Sequence, residues 1–233
     1  MGEGLDLLLL PLWYVVFLLS LTCHEAAHAF VAHRGGDDTA YRAGQVSLNP
    51  IPHLRREPFG TILVPLVTFF QLGYMMGWAS APYDPEWERR HPFRAAAMSA
   101  AGPLANLALA LVAFAGLRIG LVAGQFTAAP PHEFGIARLV AAAAGAPEGL
   151  DGVGRMLSVL LVLNLVLFLF NLIPLPPLDG ASVLSGLSAP ARRLRERAEA
   201  VPFASLVGLV LAWYLFDFVF GPVFHWVLVR LFA

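Results

Sequence analysis

The sequence predicts an all-α polytopic membrane protein. Of its 233 residues, 58% are hydrophobic and only 13% are charged, a composition typical of chains that lie in a bilayer. Several apolar runs approach the roughly 20 residues that a helix needs to cross the hydrocarbon core. We expect a core of three transmembrane helices, a re-entrant segment, and one or two C-terminal helices. The formal net charge of −1 argues against nucleic acid as a partner. From the apolar composition, the expected surroundings are the lipid bilayer.

Five strong apolar segments and one short one support this architecture. They span residues 7–32, 60–79, 95–117, 156–180 and 201–220, and the short segment, 222–233, crosses only if it continues the fifth. We predict a single domain, 1–233, with a core at about 7–190 and C-terminal helices at 201–233. The first segment lacks a basic flank and a cleavage site, so we expect it to remain in the mature protein as a helix.

The second segment is interrupted by Pro65, Gly73 and Gly77, and the placement of arginine favours a segment that does not cross. If residues 60–79 dip into the membrane and return, eleven of the fifteen basic residues lie on one side. The positive-inside rule associates such an excess with the cytoplasmic face. The remaining four are Arg118, Arg138, Arg155 and Arg230. Non-helical backbone at membrane depth requires a covering of protein or a wet cavity, so we expect the re-entrant segment to border a functional site.

Two histidines and a glutamate lie in the cytoplasmic half of the first segment, in "CHEAAHAF". In a helix, His24 and His28 are one turn apart and project from the same face, and Glu25 flanks that face. Two imidazoles so placed can bind one Zn²⁺, and the adjacent carboxylate can accept a proton from the water that zinc activates. With the helix ending near Arg34, His28 lies roughly 9 Å from the cytoplasmic end. His33, five residues further on, is turned away from the ligand face.

A catalytic zinc needs a third protein ligand and one open position. Asp179 in "NLIPLPPLDG" is the candidate, because the three prolines must unwind the end of the fourth segment and let a carboxylate turn inward at the depth of the two histidines. Alternatively, Asp179 caps a short helix that begins at Gly180. A different alternative takes Glu196 or Glu199 as the third ligand, although both lie in an arginine-rich run. The predicted cofactor is one Zn²⁺ per chain, inside the three-helix core.

At this point the motifs resemble those of a known family. "CHEAAHAF" together with "NLIPLPPLDGASVL" resembles the two signatures of the site-2 protease family of intramembrane zinc metalloproteases, an HExxH helix and a later N-x-x-P-x-x-P-x-D-G stretch. "SAAGPLANLALA" is similar to the segment that the family places between them. "GQVSLNPIPHLRREPFGTILVPL" and "GWASAPYDP" resemble the loops of a compact subgroup without PDZ or CBS domains. The resemblance extends to about residue 190 and departs from the subgroup at Arg55, Arg56 and Glu57.

The resemblance implies a role for each of five residues. His24, His28 and Asp179 would bind zinc, and Glu25 would be the general base. Asn171 would orient the substrate or stabilise the developing oxyanion by donating a hydrogen bond. The alternative for Asn171 is a side chain that satisfies backbone groups where the helix unwinds.

Two further residues are candidates for a supporting role near the metal. Asn106 follows Gly102 on the third segment, where it either contacts the site or takes part in helix packing through small residues. His53 is a loop residue that could approach the site, although a lone loop histidine is usually not part of one.

The function that the resemblance implies is that of an intramembrane zinc metalloendopeptidase in the bacterial plasma membrane, with its active site near the cytoplasmic side. It would hydrolyse a bond within or next to a transmembrane segment of another membrane protein, as in regulated intramembrane proteolysis. The substrate would be held extended, for example by adding a strand to backbone near residues 62–66. The alternative is a non-proteolytic zinc-binding membrane protein, a transporter or an inactive relative. Residues 7–19 offer no polar path for transport, and all ligands and the base are present.

Overall fold

The computed structural model describes residues 7–233. Four of its helices are long and apolar enough to cross a membrane, which confirms the predicted all-α polytopic fold. In chain order the helices are α1 (Leu9–Arg34), α2 (Thr39–Arg42), α3 (Pro50–Arg56), α4 (Val64–Leu72), α5 (Pro85–Arg90), α6 (Pro92–Val122), α7 (Leu150–Asn171), α8 (Asp179–Leu187), α9 (Ala189–Glu199) and α10 (Ala204–Phe232). The four candidate spans are α1, α6, α7 and α10.

The second apolar segment folds as a hairpin, as the arginine pattern favours. A π-helical stretch, Phe59–Leu63, runs directly into α4, and the combined helix is too short for the roughly 30 Å of a hydrocarbon core. After α4 the chain turns back, and the amide of Trp78 donates to the carbonyl of Gly60 over 3.1 Å. A Cβ on Gly60 or on Gly77 would overlap the facing backbone. Both ends of this hairpin (residues 59–80) therefore lie together, as expected of a segment that enters and leaves by one side.

Three details differ from the sequence predictions or complete them. Residues 62–66 are helical, so the predicted strand-like backbone there is wrong; the chain is non-helical instead at 75–84. A small antiparallel pair, β1 (Phe126–Ala128) and β2 (Val140–Ala142), connects α6 to α7 and was not predicted. The fifth and sixth apolar segments form the single helix α10, which continues through Pro222.

Close packing of α1, α6 and α7 creates the interior in which the polar residues lie. Helices in lipid associate mainly through van der Waals packing, and small side chains allow their backbones to approach. The buried face of α6 consists mostly of small residues: Ala95, Ala96, Ser99, Gly102, Ala110 and Ala113. Larger buried side chains fill the bundle towards the other end of α1, including Trp13 and Phe17, together with Leu117 of α6. The half of the core that contains the end of α1 at Arg34 therefore has the room that a site requires.

The two groups of arginines lie at opposite ends of the bundle. At one end Arg94 donates to the carbonyl of Gly35 over 3.0 Å, and Arg195 donates to Glu88 over 2.9 Å. At the other end Arg118 donates to the carbonyl of Leu231 over 3.2 Å. This separation agrees with the arginine asymmetry; the assignment of the arginine-rich end to the cytoplasm remains a prediction.

Candidate metal centre

The three predicted ligands converge on one point inside the bundle. The Nε2 atoms of His24 and His28 are 3.0 Å apart, and Oδ2 of Asp179 lies 3.2 Å from the first and 3.4 Å from the second. Both histidines are buried, and Asp179 is largely so. Within residues 7–233 these three form the one group of histidine, cysteine and acidic side chains arranged to hold a metal ion.

Asp179 reaches the histidines because the chain stops being helical after α7. Residues 172–178 contain three prolines and no helix, and α8 begins at Asp179 itself. A side chain at Gly180 would overlap the carbonyl groups of Leu172 and Ile173, so glycine allows α8 to start directly against the end of α7. The alternative in which Asp179 caps a helix is wrong, because the cap position is occupied by Leu178.

The hydrogen bonds of the two rings leave both Nε2 atoms free to bind a cation. Nδ1 of His24 lies 2.5 Å from Oδ1 of Asn106, and Nδ1 of His28 lies 2.7 Å from the carbonyl of Met98. Because both partners are acceptors, each Nδ1 carries the proton, and a neutral ring then has a bare lone pair at Nε2. Such hydrogen bonds to the other ring nitrogen are typical of histidines that bind a metal.

Three acceptors facing one another in a buried place fit a metal ion. No hydrogen bond from the described part of the chain reaches the buried Oδ2 of Asp179, and an unpaired buried acceptor is costly. A cation between the three atoms removes this cost. Donor atoms around a tetrahedral Zn²⁺ with bonds of about 2.0–2.1 Å are about 3.3 Å apart, close to the separations seen here. The nitrogen and oxygen ligands also suit zinc.

Gly102 of α6 provides the space for the cluster. A Cβ at this position would lie 2.6 Å from Nε2 of His24 and closer still to Nε2 of His28. Any side chain would therefore occupy the place where the ligand atoms meet. Sequence reasoning considered Gly102 only as a packing residue; the resemblance of "SAAGPLANLALA" to a family segment was the signal that could have indicated more.

Asn106 contacts the site directly, whereas two residues behind it were missed. Asn164 of α7 and Ser20 of α1 are both fully buried, and Asn106 donates to Oδ1 of Asn164 over 2.8 Å. The signal was present in the sequence, because Asn164 is a polar residue within an apolar run, the same argument that singled out His24.

The other predicted site residues are placed as follows. Glu25 is buried beside His24 on α1, with 4% of its surface exposed. The amide of Asn171 donates to the carbonyl of Leu167 in its own helix over 3.0 Å, which is the backbone-satisfying arrangement considered as its alternative. His53 is buried and bonds through Nε2 to the carbonyl of Ser47. The catalytic roles of Glu25 and Asn171 and the supporting role of His53 remain predictions.

His33, which the sequence placed off the ligand face, and the two glutamates that were alternative third ligands lie away from the metal centre. His33 bonds to Asp38 over 2.8 Å and stacks on Tyr41. Glu199 accepts from Arg195, and Glu196 is an exposed residue of the same helix. Neither glutamate belongs to the ligand group, so the arrangement favours Asp179 as the third ligand.

Comparison with known proteins agrees with this geometry. Residues 12–215 match peptidase family M50. The chain belongs to this family. The M50 peptidase is 38% identical over 204 residues to the "Putative zinc metalloprotease YwhC" of Bacillus subtilis, an alignment that covers 87% of this chain and 80% of that protein. It is 30% identical over 195 residues to the "Putative zinc metalloprotease Rip2" of Mycobacterium tuberculosis, covering 84% of this chain and 64% of that protein. No solved structure matches the chain.

Membership in M50 confirms the resemblance to the site-2 proteases that the two signatures indicated. Together with the four candidate spans, it identifies a multi-pass membrane protein of a metalloprotease family. The names of both relatives refer to zinc, and His24, His28 and Asp179 of this M50 peptidase are arranged to hold a metal ion.

Proposed function

We propose that this M50 peptidase is an intramembrane zinc metalloendopeptidase that cleaves a transmembrane segment of another membrane protein. The observation that carries the proposal is the convergence of two bare imidazole nitrogens and one carboxylate oxygen within 3.4 Å. The donor set of two histidines and one carboxylate matches that of catalytic zinc sites, which keep a fourth position open for water or substrate.

The residues of the chain have distinct tasks in the proposed reaction. His24, His28 and Asp179 would hold the zinc, which would supply Lewis-acid activation of water and of the scissile carbonyl. Glu25 takes the proton that water loses on attack and returns it to the leaving amine. Asn171 donates a hydrogen bond to the carbonyl oxygen as negative charge develops there. Its NH₂ group has two N–H donors: one donates to the carbonyl of Leu167, and this role would use the other.

The membrane position of the site defines the class of substrate. His24 and His28 lie within α1 and Asn106 within α6, both candidate spans, so a substrate must reach the centre from within the bilayer or its edge. A helical segment hides its peptide carbonyls in its own hydrogen bonds, so the substrate has to be extended or broken at the bond that is cut. We place the site near the cytoplasmic face of a bacterial plasma membrane, because the arginine-rich end of the bundle is the nearer one.

The test combines metal analysis with cleavage by the purified protein in lipid nanodiscs. The substrate is a reporter protein with one transmembrane segment interrupted by a central Asn-Pro pair. Wild type should contain about one zinc per chain and cut the reporter. Glu25→Gln should retain zinc and lose at least about 100-fold in rate, because general acid–base catalysis contributes that much or more. Asp179→Asn should weaken zinc binding.

Glu196→Gln is the matched control, since it changes an exposed glutamate that was a rival ligand. It should leave both zinc content and cleavage unchanged. Zinc binding without cleavage of any such reporter would favour the non-proteolytic alternative. Unchanged cleavage by Glu25→Gln would contradict the mechanism itself.

A further inference from the structure

A chain of buried polar side chains extends behind the metal centre and connects three helices. Its members are each 0% exposed: Ser20 of α1, Asn106 of α6 and Asn164 of α7. The hydrogen bonds that connect them lead to the ring of His24. Polar groups inside a membrane protein are costly and tend to be functional. The proposed metal site accounts for His24, but it does not by itself explain why two asparagines and a serine lie behind it.

The direction of each hydrogen bond among these buried polar side chains can be derived from the backbone carbonyls that they contact, because a carbonyl only accepts. Oγ of Ser20 donates to the carbonyl of Val16 over 2.7 Å, which leaves its lone pairs available. Nδ2 of Asn164 lies 2.8 Å from the carbonyl of Leu160 and 2.8 Å from Oγ of Ser20. Since the end of the amide that faces a carbonyl must be the NH₂ group, Oδ1 of Asn164 faces the other way.

The orientation of the Asn164 amide determines the orientation of the Asn106 amide and, through it, which nitrogen of His24 carries the proton. Oδ1 of Asn164 is 2.8 Å from Asn106, so the NH₂ group of Asn106 must face it. The same NH₂ group donates to the carbonyl of Ser20 over 3.3 Å. The oxygen of Asn106 is thereby directed at Nδ1 of His24. Nδ1 of His24 must donate, and Nε2 is left without a proton on the side of Asp179.

We propose that Asn164 is a positioning residue that fixes the amide of Asn106 and, through it, the ring orientation and tautomer of His24 that bind the metal. Asn164 touches neither metal nor substrate and acts through Asn106. The proposal rests on the proposed metal site at His24. It predicts that zinc affinity depends on a side chain of α7 whose hydrogen bonds go to α1, α6 and its own helix.

Direct measurement of zinc affinity tests this, with purified full-length protein titrated against a competing chelator. Asn164→Leu removes the acceptor that faces Asn106 at similar volume and should raise the zinc dissociation constant about 10- to 100-fold, the usual cost of losing a metal site's supporting hydrogen bond. Asn164→Asp in its neutral form directs its hydroxyl at the carbonyl of Leu160 and its other oxygen at Asn106, and should retain affinity within a few-fold of wild type. The ¹⁵N signals of His24 should show one tautomer in wild type and a mixture in Asn164→Leu.

Ser158→Ala is the matched control, because Ser158 is also a fully buried polar residue of α7 with hydrogen bonds to Gly154 and Leu139. It should lower thermal stability without changing zinc affinity. If Asn164→Leu does not fold, Asn164→Ala replaces it with the same expected loss. Wild-type affinity in the folded variant, or an equal loss in Ser158→Ala, would overturn the proposal. Failure of the wild type to bind zinc would instead overturn the proposed function.

Discussion

At Gly102, the absence of a side chain is what allows two imidazoles and a carboxylate to meet next to α6. A Cβ would lie within 2.6 Å of both ring nitrogens that face Asp179, a separation that only movement of the rings or of α6 could relieve. The site therefore depends on a residue that contributes no ligand atom.

Gly102→Ala should consequently abolish or strongly reduce zinc binding, because the added methyl group occupies the space of the metal ligands. Zinc content after purification measures this directly. The control is Gly116→Ala in the same helix, where the nearest atom is the flexible end of Leu157 at 3.2 Å. Equal zinc content in the two variants would contradict the packing argument.

Asp37, in the loop after α1, is a buried carboxylate with a defined set of donors. It accepts from the amide of Thr39 over 2.9 Å and from its hydroxyl over 2.5 Å, and from the amide of Asp84 over 2.8 Å. Burial raises the pKa of Asp37, but these hydrogen bonds together lower it by more than burial raises it. The pKa of Asp37 therefore lies below its usual value. The ionised form therefore stabilises the folded protein.

The sign of the pH dependence follows from the lowered pKa. Stability from Asp37 is fully present above its unfolded value of about 3.9 and is lost as the pH falls through the lower folded value. Asp37→Asn should lower the melting temperature at neutral pH, since its NH₂ group replaces one of the two accepting oxygens and cannot accept from the donors that face it, and the difference from wild type should shrink towards about pH 3. Asp38→Asn, at an exposed site, should have a smaller effect. A difference that does not vary with pH would exclude ionisation as the cause.

Among the helices, α10 packs against the loop of residues 172–178, which positions Asp179 at the start of α8. Gly208 lies so close to Pro176 that a Cβ would overlap the proline carbonyl. Ala212 and Phe216 pack on Ile173 and Leu178, on either side of that loop. Since residues 172–178 form no helix of their own, contact with α10 helps to determine where α8 begins.

Gly208→Ala should therefore destabilise the protein by about 1–3 kcal/mol, the typical cost of overpacking, and should reduce zinc retention by displacing the loop. Thermal unfolding and zinc content measure the two effects. Gly221→Ala on the same helix meets nothing within 4 Å and should be neutral or slightly stabilising, because alanine favours a helix over glycine. Similar losses in both variants would show that the effect belongs to the helix and not to its contact with Pro176.

Across the whole molecule, Arg195 links separate elements at the arginine-rich end. Its side chain is only 17% exposed and donates to Glu88 of α5 and to Glu199 of α9. Arg195→Gln leaves Glu88 without this partner and should lower the free energy of unfolding by about 1.5–3 kcal/mol, as expected for hydrogen bonds to charged groups.

Arg89→Gln is the control for this prediction, because Arg89 pairs with Glu86 at a site that is 68% exposed. Its loss should cost less than about 1 kcal/mol. Unfolding in mixed micelles gives both values, and a larger effect of Arg89→Gln would contradict the importance assigned to burial.

The topology of the membrane bundle is a second prediction at this scale. With four spans and a hairpin that returns to its own side, the segment between α9 and α10 should face the cytoplasm and the end of α10 the opposite side. A reporter enzyme that is active only outside the cytoplasm should therefore be active when fused after Ala233. The same reporter inserted between α9 and α10 should be inactive. The reverse pattern would exclude the predicted orientation.

The sequence by itself determined the apolar spans, the candidate ligands and the family resemblance, because membrane crossing and zinc chemistry both depend on local patterns of a few residues. His24 and His28 are one turn apart in any helix. Asp179 follows three prolines that end a span at the depth of those histidines, so its carboxylate could be matched to them before any contact was known. The arginine count also indicated the re-entrant hairpin.

Only the tertiary structure decided which groups surround the ligands. The contact between Asn106 and His24 joins residues 82 positions apart, and that between Asn164 and Ser20 joins residues 144 apart. No local sequence pattern relates residues so far apart in the chain, because these contacts depend on how α1, α6 and α7 pack. The space at Gly102, the support from Gly208 and the helical state of residues 62–66 were decided in the same way, by neighbours that are remote in sequence.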